Sequence, residues 1–368
     1  MNKGKKWTIS LLSYLLISLL IVGSLTYYID PYQHYRLTAP PSKYMESRMS
    51  SIQRGLSPGL IKNADYETIL IGSSMAEYFS TDYINGALDT KSIKISLSGG
   101  TPFELKKLIE LASKEGKAKT IILSVDTYMY NDPIEVTRSP IPDYLYDNNI
   151  LNDVKYLLNL DILTDDTIAY LFSKLKNPTP FDWNMLYDDS KDFEFSKEAT
   201  MKYYEEALSM VDTYTEDINL EDALNDALIN SERIDTMKVN FQENTYNLVK
   251  NNPNLEFKLF FPPNSILFWE KASRSNSVIS NVAFKKYIFD QLKNFDNVEL
   301  YDFQDVTEIT HNLDNYKDRS HYKPEVCNYM INSISKKDFL ITEDNSIDKI
   351  RNLIMQAETF TLDKLIDN

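Results

Sequence analysis

The chain has 368 residues, 43% of them hydrophobic, enough for one large domain or two small ones with a substantial core, so disorder is not the default. A formal net charge of −15, with no lysine-arginine stripe to offset it, would repel nucleic-acid phosphates and argues against a nucleic-acid partner. A single cysteine, Cys327, excludes an internal disulfide, so an exported chain of this sequence depends on packing alone.

From Trp7 to Tyr28 no side chain is charged. At about 1.5 Å per residue, a helix of that length spans roughly 30 Å of hydrocarbon. The pattern predicts a short tail over 1–6, then a transmembrane helix over 7–28. Lys3, Lys5 and Lys6 precede the run, and the positive-inside tendency then puts the N-terminus in the cytoplasm and the rest outside. A cleaved secretory signal is the competing reading. It is disfavoured by the length of the apolar run and by the poor cleavage site at Ile21-Val22-Gly23-Ser24-Leu25. Tyr27, Tyr28, Tyr32 and Tyr35 suit an outer membrane interface.

Residues 29–62 hold Pro31, Pro40, Pro41 and Pro58 and read as a stalk. Five apolar runs bounded by polar residues then read as strands: Glu67–Ile71, Ile93–Leu97, Thr120–Val125, Leu255–Phe261 and Val298–Phe303. Helical spacing separates them, as in Phe103, Leu105, Leu108, Ile109, Leu111 and Ala112 after the Thr101-Pro102 opening. Alternation of this kind predicts an α/β fold, a three-layer sandwich with a mostly parallel central sheet, over residues 63–340.

Between about 131 and 235 the strand signal fades among helical stretches such as Ala199–Met210 and Leu220–Ile229. This reads as a helical insertion, either a cap over a cleft or decoration at a sheet edge. Pro324 opens a helix in which Cys327 is a small buried apolar group. A short amphipathic helix with Ile347, Ile350, Leu353 and Ile354 lies in a C-terminal tail over 341–368.

Chemistry concentrates in two distant places. Gly72-Ser73-Ser74 follows the first strand, with a helix expected through Met75 to Phe79 that would aim a favourable N-terminal dipole at Ser74, and Asp318-Arg319-Ser320-His321 stands near the end of the domain. A serine hydroxyl becomes nucleophilic when a base accepts its proton, and a neutral imidazole serves as that base if a third group fixes its tautomer. Of the three histidines, His34, His311 and His321, only His321 has an Asp at the short spacing that could hold its far nitrogen. An ordinary capped turn is the bland alternative for this tetrapeptide.

The order strand, Gly-Ser-Ser, then a distant Asp-x-x-His resembles the SGNH or GDSL hydrolase superfamily over roughly Tyr66–Met330. Ser73 replaces the Asp of that family's first block. The Gly-Ser-Ser form is similar to the membrane-anchored branch that includes the D-alanyl transfer protein of lipoteichoic acid synthesis, and to alginate-type O-acetyltransferases. The resemblance implies Ser74 as nucleophile, His321 as base and Asp318 as orienter. It also implies an oxyanion hole from Ser74 N–H and the Ser98-Gly99-Gly100 stretch, with Gly99 chosen. The family's third block, Gly-x-Asn-Asp, corresponds here to Ser124-Val125-Asp126-Thr127. An ionised carboxylate cannot inherit the Asn donor role, which leaves Asp126 to orient a loop, bind substrate ammonium or hydroxyl groups, or stay protonated by burial.

No metal or cofactor motif stands out, and none is expected. The whole implies an extracytoplasmic, membrane-anchored serine esterase or O-acyltransferase acting on a cell-envelope glycan or teichoic-acid-like polymer. Family relatives of this kind work beside a membrane-bound O-acyltransferase, which the resemblance therefore implies as a partner. The rival expectation is an inactive envelope scaffold or binding protein of the same fold, motivated by Asp126.

Overall fold

The structure is a computed structural model and describes residues 3–182, 193–208, 219–275 and 277–365. The chain divides into two compact units, Met1–Ala64 with Ser139–Trp183, and Asp65–Arg138 with Asn184–Asn368.

In the first unit the apolar N-terminal run forms one helix, Lys3–Ile29, long and apolar enough to cross a membrane. Asp30 follows it with a φ of 48°, and its carboxylate accepts the N–H groups of His34, Tyr35 and Arg36, so the chain turns sharply there. The stretch expected as a stalk differs, because Ser42–Asn63 is a helix. Ile52, Leu56 and Leu60 recur at four-residue spacing and are buried, a pattern that the prolines obscure. Pro58 sits inside this helix and cannot bond the Arg54 carbonyl, which accepts instead from the Tyr146 hydroxyl at 2.9 Å. Gly59 lets the Tyr32–Gln33 backbone lie against the helix, where a Cβ would strike both of its carbonyl oxygens.

The second unit is built on one all-parallel sheet. Its strands are β1 (Thr68–Gly72), β2 (Ser92–Ser96), β3 (Thr120–Ser124), β4 (Glu256–Phe261) and β5 (Val298–Asp302), in the order β2-β1-β3-β4-β5. All five lie where the apolar runs predict them, because strands covered on both faces need apolar residues at successive positions. On one face Leu70, Ile122, Phe260 and Tyr301 pack with Ile84 of the Thr81–Leu88 helix and with Met330, Ile331 and Ile334 of the Pro324–Lys336 helix. The alternate residues Ile69, Ile71, Ile121, Leu123, Phe257 and Leu259 are buried on the other face. That face is served by the Pro102–Glu115 and Val278–Leu292 helices, the first of which carries the expected cap as a full capping box with Glu104.

The insertion expected at 131–235 belongs partly to each unit, and its residues 183–192 and 209–218 lie outside the described residues, as do 1–2 and 366–368 of the two tails. Its helices Lys197–Leu208 and Leu220–Asn230 contribute Tyr204 and Leu224 to a cluster with Trp269, Val282, Ile350 and Leu353. The C-terminal helix Ser346–Glu358 supplies the last two, so it packs on the domain.

Because β1 lies between β2 and β3, the chain leaves β1 for one side and crosses back to the other. The connections diverge at the carboxyl ends of β1 and β3, the place where open α/β sheets bind ligands. Close packing defines that place: a Cβ on Gly72 would lie 2.7 Å from Ala76 Cβ and 2.9 Å from Ser124 Cβ. Gly72→Ala is therefore expected to cost about 1–3 kcal/mol, read as a lowered urea midpoint. An unchanged midpoint would contradict this packing.

Candidate active site

β1 ends at Gly72, and the chain enters a single 3-10 turn, Ser74–Ala76. Ser73 caps the turn, its Oγ accepting the Met75 N–H at 3.2 Å. A helix through Phe79, expected to aim its dipole at Ser74, does not form. Ser80 instead caps a separate helix, Thr81–Leu88, through the Tyr83 N–H.

The second motif sits on a tight loop. Tyr316 and Tyr322 pair across it, the Lys317 N–H donates to His321 O at 3.1 Å, and Asp318 Oδ1 accepts the N–H groups of Ser320 and His321, each at 2.8 Å. The segment after β4 fastens this loop: Ser265 donates its N–H and Oγ to Arg319 O at 3.0 and 2.8 Å, and Pro263 O accepts the Tyr316 hydroxyl at 2.9 Å. The Lys197–Leu208 helix adds Thr200, whose hydroxyl lies 3.0 Å from Tyr316 O. The Tyr322 hydroxyl donates to Met75 O at 2.7 Å, tying the loop directly to the serine turn. Sequence reasoning overlooked Tyr322, whose only signal is its place next to His321.

These ties bring the predicted residues together. Ser74 Oγ lies 2.8 Å from His321 Nε2, and His321 Nδ1 lies 2.7 Å from Asp318 Oδ2. With Nδ1–H donated to Asp318, Nε2 is left to accept the Ser74 proton. Burial would raise the Asp318 pKa, but the hydrogen bond and charge of His321 and the two backbone N–H groups pull it down to about 2. Asp318 therefore stays ionised as an acceptor over the whole working range. The imidazole remains 28% exposed, which leaves the site open to a reagent. His311 and His34 take no part. His311 is buried with its Nδ1 beside Thr310 Oγ1, and His34 pairs with Asp153 in the other unit.

Two N–H groups are candidates to hold an oxyanion. Gly99 adopts a φ of 60°, a conformation that favours glycine, while the Gly100 N–H is spent on Leu97 O at 2.8 Å. The N–H groups of Ser74 and Gly99 make no hydrogen bond among the described residues. They remain available where the Gly100 N–H does not.

The sequence leaves Asp126 three roles: to orient a loop, to bind substrate or to stay protonated by burial. It is 6% exposed behind the serine turn, and its Oδ2 accepts the hydroxyl proton of fully buried Ser73. The two departures from the resembled motif thus touch each other. Asp126 Oδ1 makes no hydrogen bond among the described residues, and Asp126 lines a cavity of about 20 Å³ together with Ser124, Tyr130 and Asn244. Burial pushes the Asp126 pKa up to about 6, against the Ser73 hydrogen bond and the His321 charge, which lower it.

Cys327 is fully buried and burial raises its pKa, so it is an inert apolar group as expected. Among the described residues no group of three or more His, Cys, Asp or Glu is placed to hold a metal ion. No protein-family model matches the chain, and no curated protein matches its sequence.

The raised Asp126 pKa predicts a pH-dependent stability. Its contribution is complete below the ordinary value of 3.8 and is lost as pH rises through about 6. Asp126→Asn, which removes the buried charge, should melt several degrees above wild type near pH 8, with the gap closing toward pH 4. A gap that does not change with pH would contradict the burial of an ionised Asp126.

Proposed function

We propose that this chain is a membrane-anchored serine esterase or O-acyltransferase whose larger unit faces outward and acts on acyl esters of a cell-envelope polymer. The observation that carries the reading is the hydrogen-bond distance of 2.8 Å between Ser74 Oγ and His321 Nε2, made by side chains 247 positions apart. Chance rarely aligns a hydroxyl, an imidazole and an ionised carboxylate in that order at the carboxyl end of a parallel sheet.

In the first half-reaction Ser74 Oγ attacks the ester carbonyl carbon while its proton passes to His321 Nε2. The carbonyl oxygen becomes an oxyanion held by the N–H groups of Ser74 and Gly99, and losing one such donor commonly costs about 10²–10³ in rate. Collapse of this intermediate expels the alcohol, which leaves with the proton from Nε2, and an acyl ester remains on Ser74. In the second half, water or a glycan hydroxyl attacks that ester and gives its proton to Nε2, and the second tetrahedral intermediate collapses with cleavage of the acyl–Oγ bond as Nε2 returns the proton to Ser74 Oγ. Asp318 stabilises the imidazolium formed in each half without taking its proton.

The N-terminal helix supports anchoring, and Lys3, Lys5 and Lys6 at its start favour an outward-facing domain. A membrane-bound O-acyltransferase delivering acyl groups across the bilayer fits this placement as a partner, with an envelope glycan or teichoic-acid-like polymer as acceptor.

A fluorophosphonate probe tests the reading. Ser74 should be labelled stoichiometrically, His321→Ala should abolish labelling, and Asp318→Asn should lower acyl transfer by about 10⁴. Folded protein that stays unlabelled would replace the enzyme with an inactive scaffold of the same fold.

A further inference from the structure

We propose that Asp126 is a positioning residue that sets the nucleophile turn through Ser73, an inference that rests on the serine-hydrolase reading above. Ser73 is fully buried, and both of its oxygens are committed. Its Oγ donates to Asp126 Oδ2 while accepting the Met75 N–H at 3.2 Å, and its carbonyl accepts the Ala76 N–H and the Ser96 hydroxyl, each at 3.0 Å. A hydroxyl has one proton. Giving that proton to Asp126 turns the lone pairs toward the Met75 N–H, so the carboxylate fixes the rotamer that caps the turn. The next residue is Ser74. Asp126 comes from the end of β3 and Ser73 from the end of β1, so the contact ties together the two neighbouring strand ends where the connections diverge.

A cap needs no buried charge, and burying one is costly. What the charge adds is an electrostatic attraction to His321, which offsets part of the cost of its burial. The groups facing Asp126 are few: Ser73 at the serine turn, Ser124 at the end of β3, Tyr128 and Tyr130 on the turn that Asp126 opens, and His321 and Tyr322 on the histidine loop. Burial holds all three tyrosines protonated. Lys106 lines the cavity behind Asp126 but donates to Glu243 O at 2.9 Å.

Asp126 and Asn244 both line the cavity, and neither Asp126 Oδ1 nor Asn244 Oδ1 has a hydrogen-bond partner among the described residues. Asn244 is presented by a π-helical turn, Gln242–Tyr246, and its Nδ2 is spent on Ile134 O and Asn240 Oδ1, each at 2.8 Å. An amide at position 126 therefore suits this place. It keeps an oxygen for Ser73 and turns an N–H toward the cavity that Asn244 lines. Asp126→Asn separates the two effects, since it preserves the clamp and removes the charge.

The test is the second-order rate of fluorophosphonate labelling at Ser74, measured on the full chain in detergent from about pH 5 to 8. The variants are Ser73→Ala, Asp126→Ala, their double and Asp126→Asn, with melting curves to establish folding. Each alanine variant is expected to label about 10²-fold more slowly, and the double no more slowly than the slower single. Asp126→Asn should recover most of the plateau rate, with the acidic limb of its pH profile moved to lower pH, because a negative charge beside the imidazole is gone. A purely structural role would leave that limb in place. Wild-type rates in folded alanine variants, effects that multiply in the double, or an unmoved acidic limb in Asp126→Asn would each overturn the proposal. If the alanine variants do not fold, the acidic limb of Asp126→Asn decides alone. Wild type that is not labelled at all defeats the serine-hydrolase reading itself, an outcome distinct from labelled wild type with indifferent variants.

Discussion

A hydrogen bond between a hydroxyl at the end of β1 and an imidazole far along the chain holds only if the sheet order, the loop over 316–322 and the turn over 74–76 are all in place. None of the three suffices alone. The parallel sheet brings the carboxyl ends of β1, β3 and β4 to one side. The segment after β4 then fixes the histidine loop through Arg319 O and the Tyr316 hydroxyl. The Tyr322 hydroxyl closes the circuit on Met75 O, one residue beyond the serine it serves. The loop is thus held by backbone partners rather than by exposed charges, which makes its geometry insensitive to salt.

Around this bond the site divides its carboxylates by environment. Asp318 accepts two backbone N–H groups as well as the imidazole, and it stays ionised far into acid. Asp126 has only serine hydroxyls and a small cavity about it, and its proton affinity is raised by burial. The first is suited to orienting a base over a wide pH range. The second is a buried acid whose charge is held at a cost, and such costs tend to persist where they do something for the chemistry nearby.

Much of the larger unit was legible in the chain. Strands covered on both faces must be apolar throughout, so each of the five announces itself within a residue or so of its true ends. The Thr101-Pro102-Phe103-Glu104 opening spells out a capping box. The site was legible for a different reason, since histidine is scarce and only one stands three residues after an aspartate. The helix Ser42–Asn63 was hidden by Pro58, because sequence reading cannot know that a distant Tyr146 hydroxyl will take the carbonyl that proline leaves free. The Ser73–Asp126 contact was hidden because it depends on β1 and β3 being neighbours, and strand order is not written in the strands themselves. The helix expected after Ser74 stops after a single 3-10 turn, and Ser80 caps a separate helix six residues later.

The central claim, that Ser74 and His321 form one reactive unit, is tested most directly by a crystal structure of the phosphonylated protein. The account predicts phosphorus bonded to Ser74 Oγ, with the phosphoryl oxygen within hydrogen-bond reach of the Ser74 and Gly99 N–H groups and His321 Nε2 facing the adduct. Phosphorus on another side chain, or a phosphoryl oxygen turned away from both N–H groups, would contradict it.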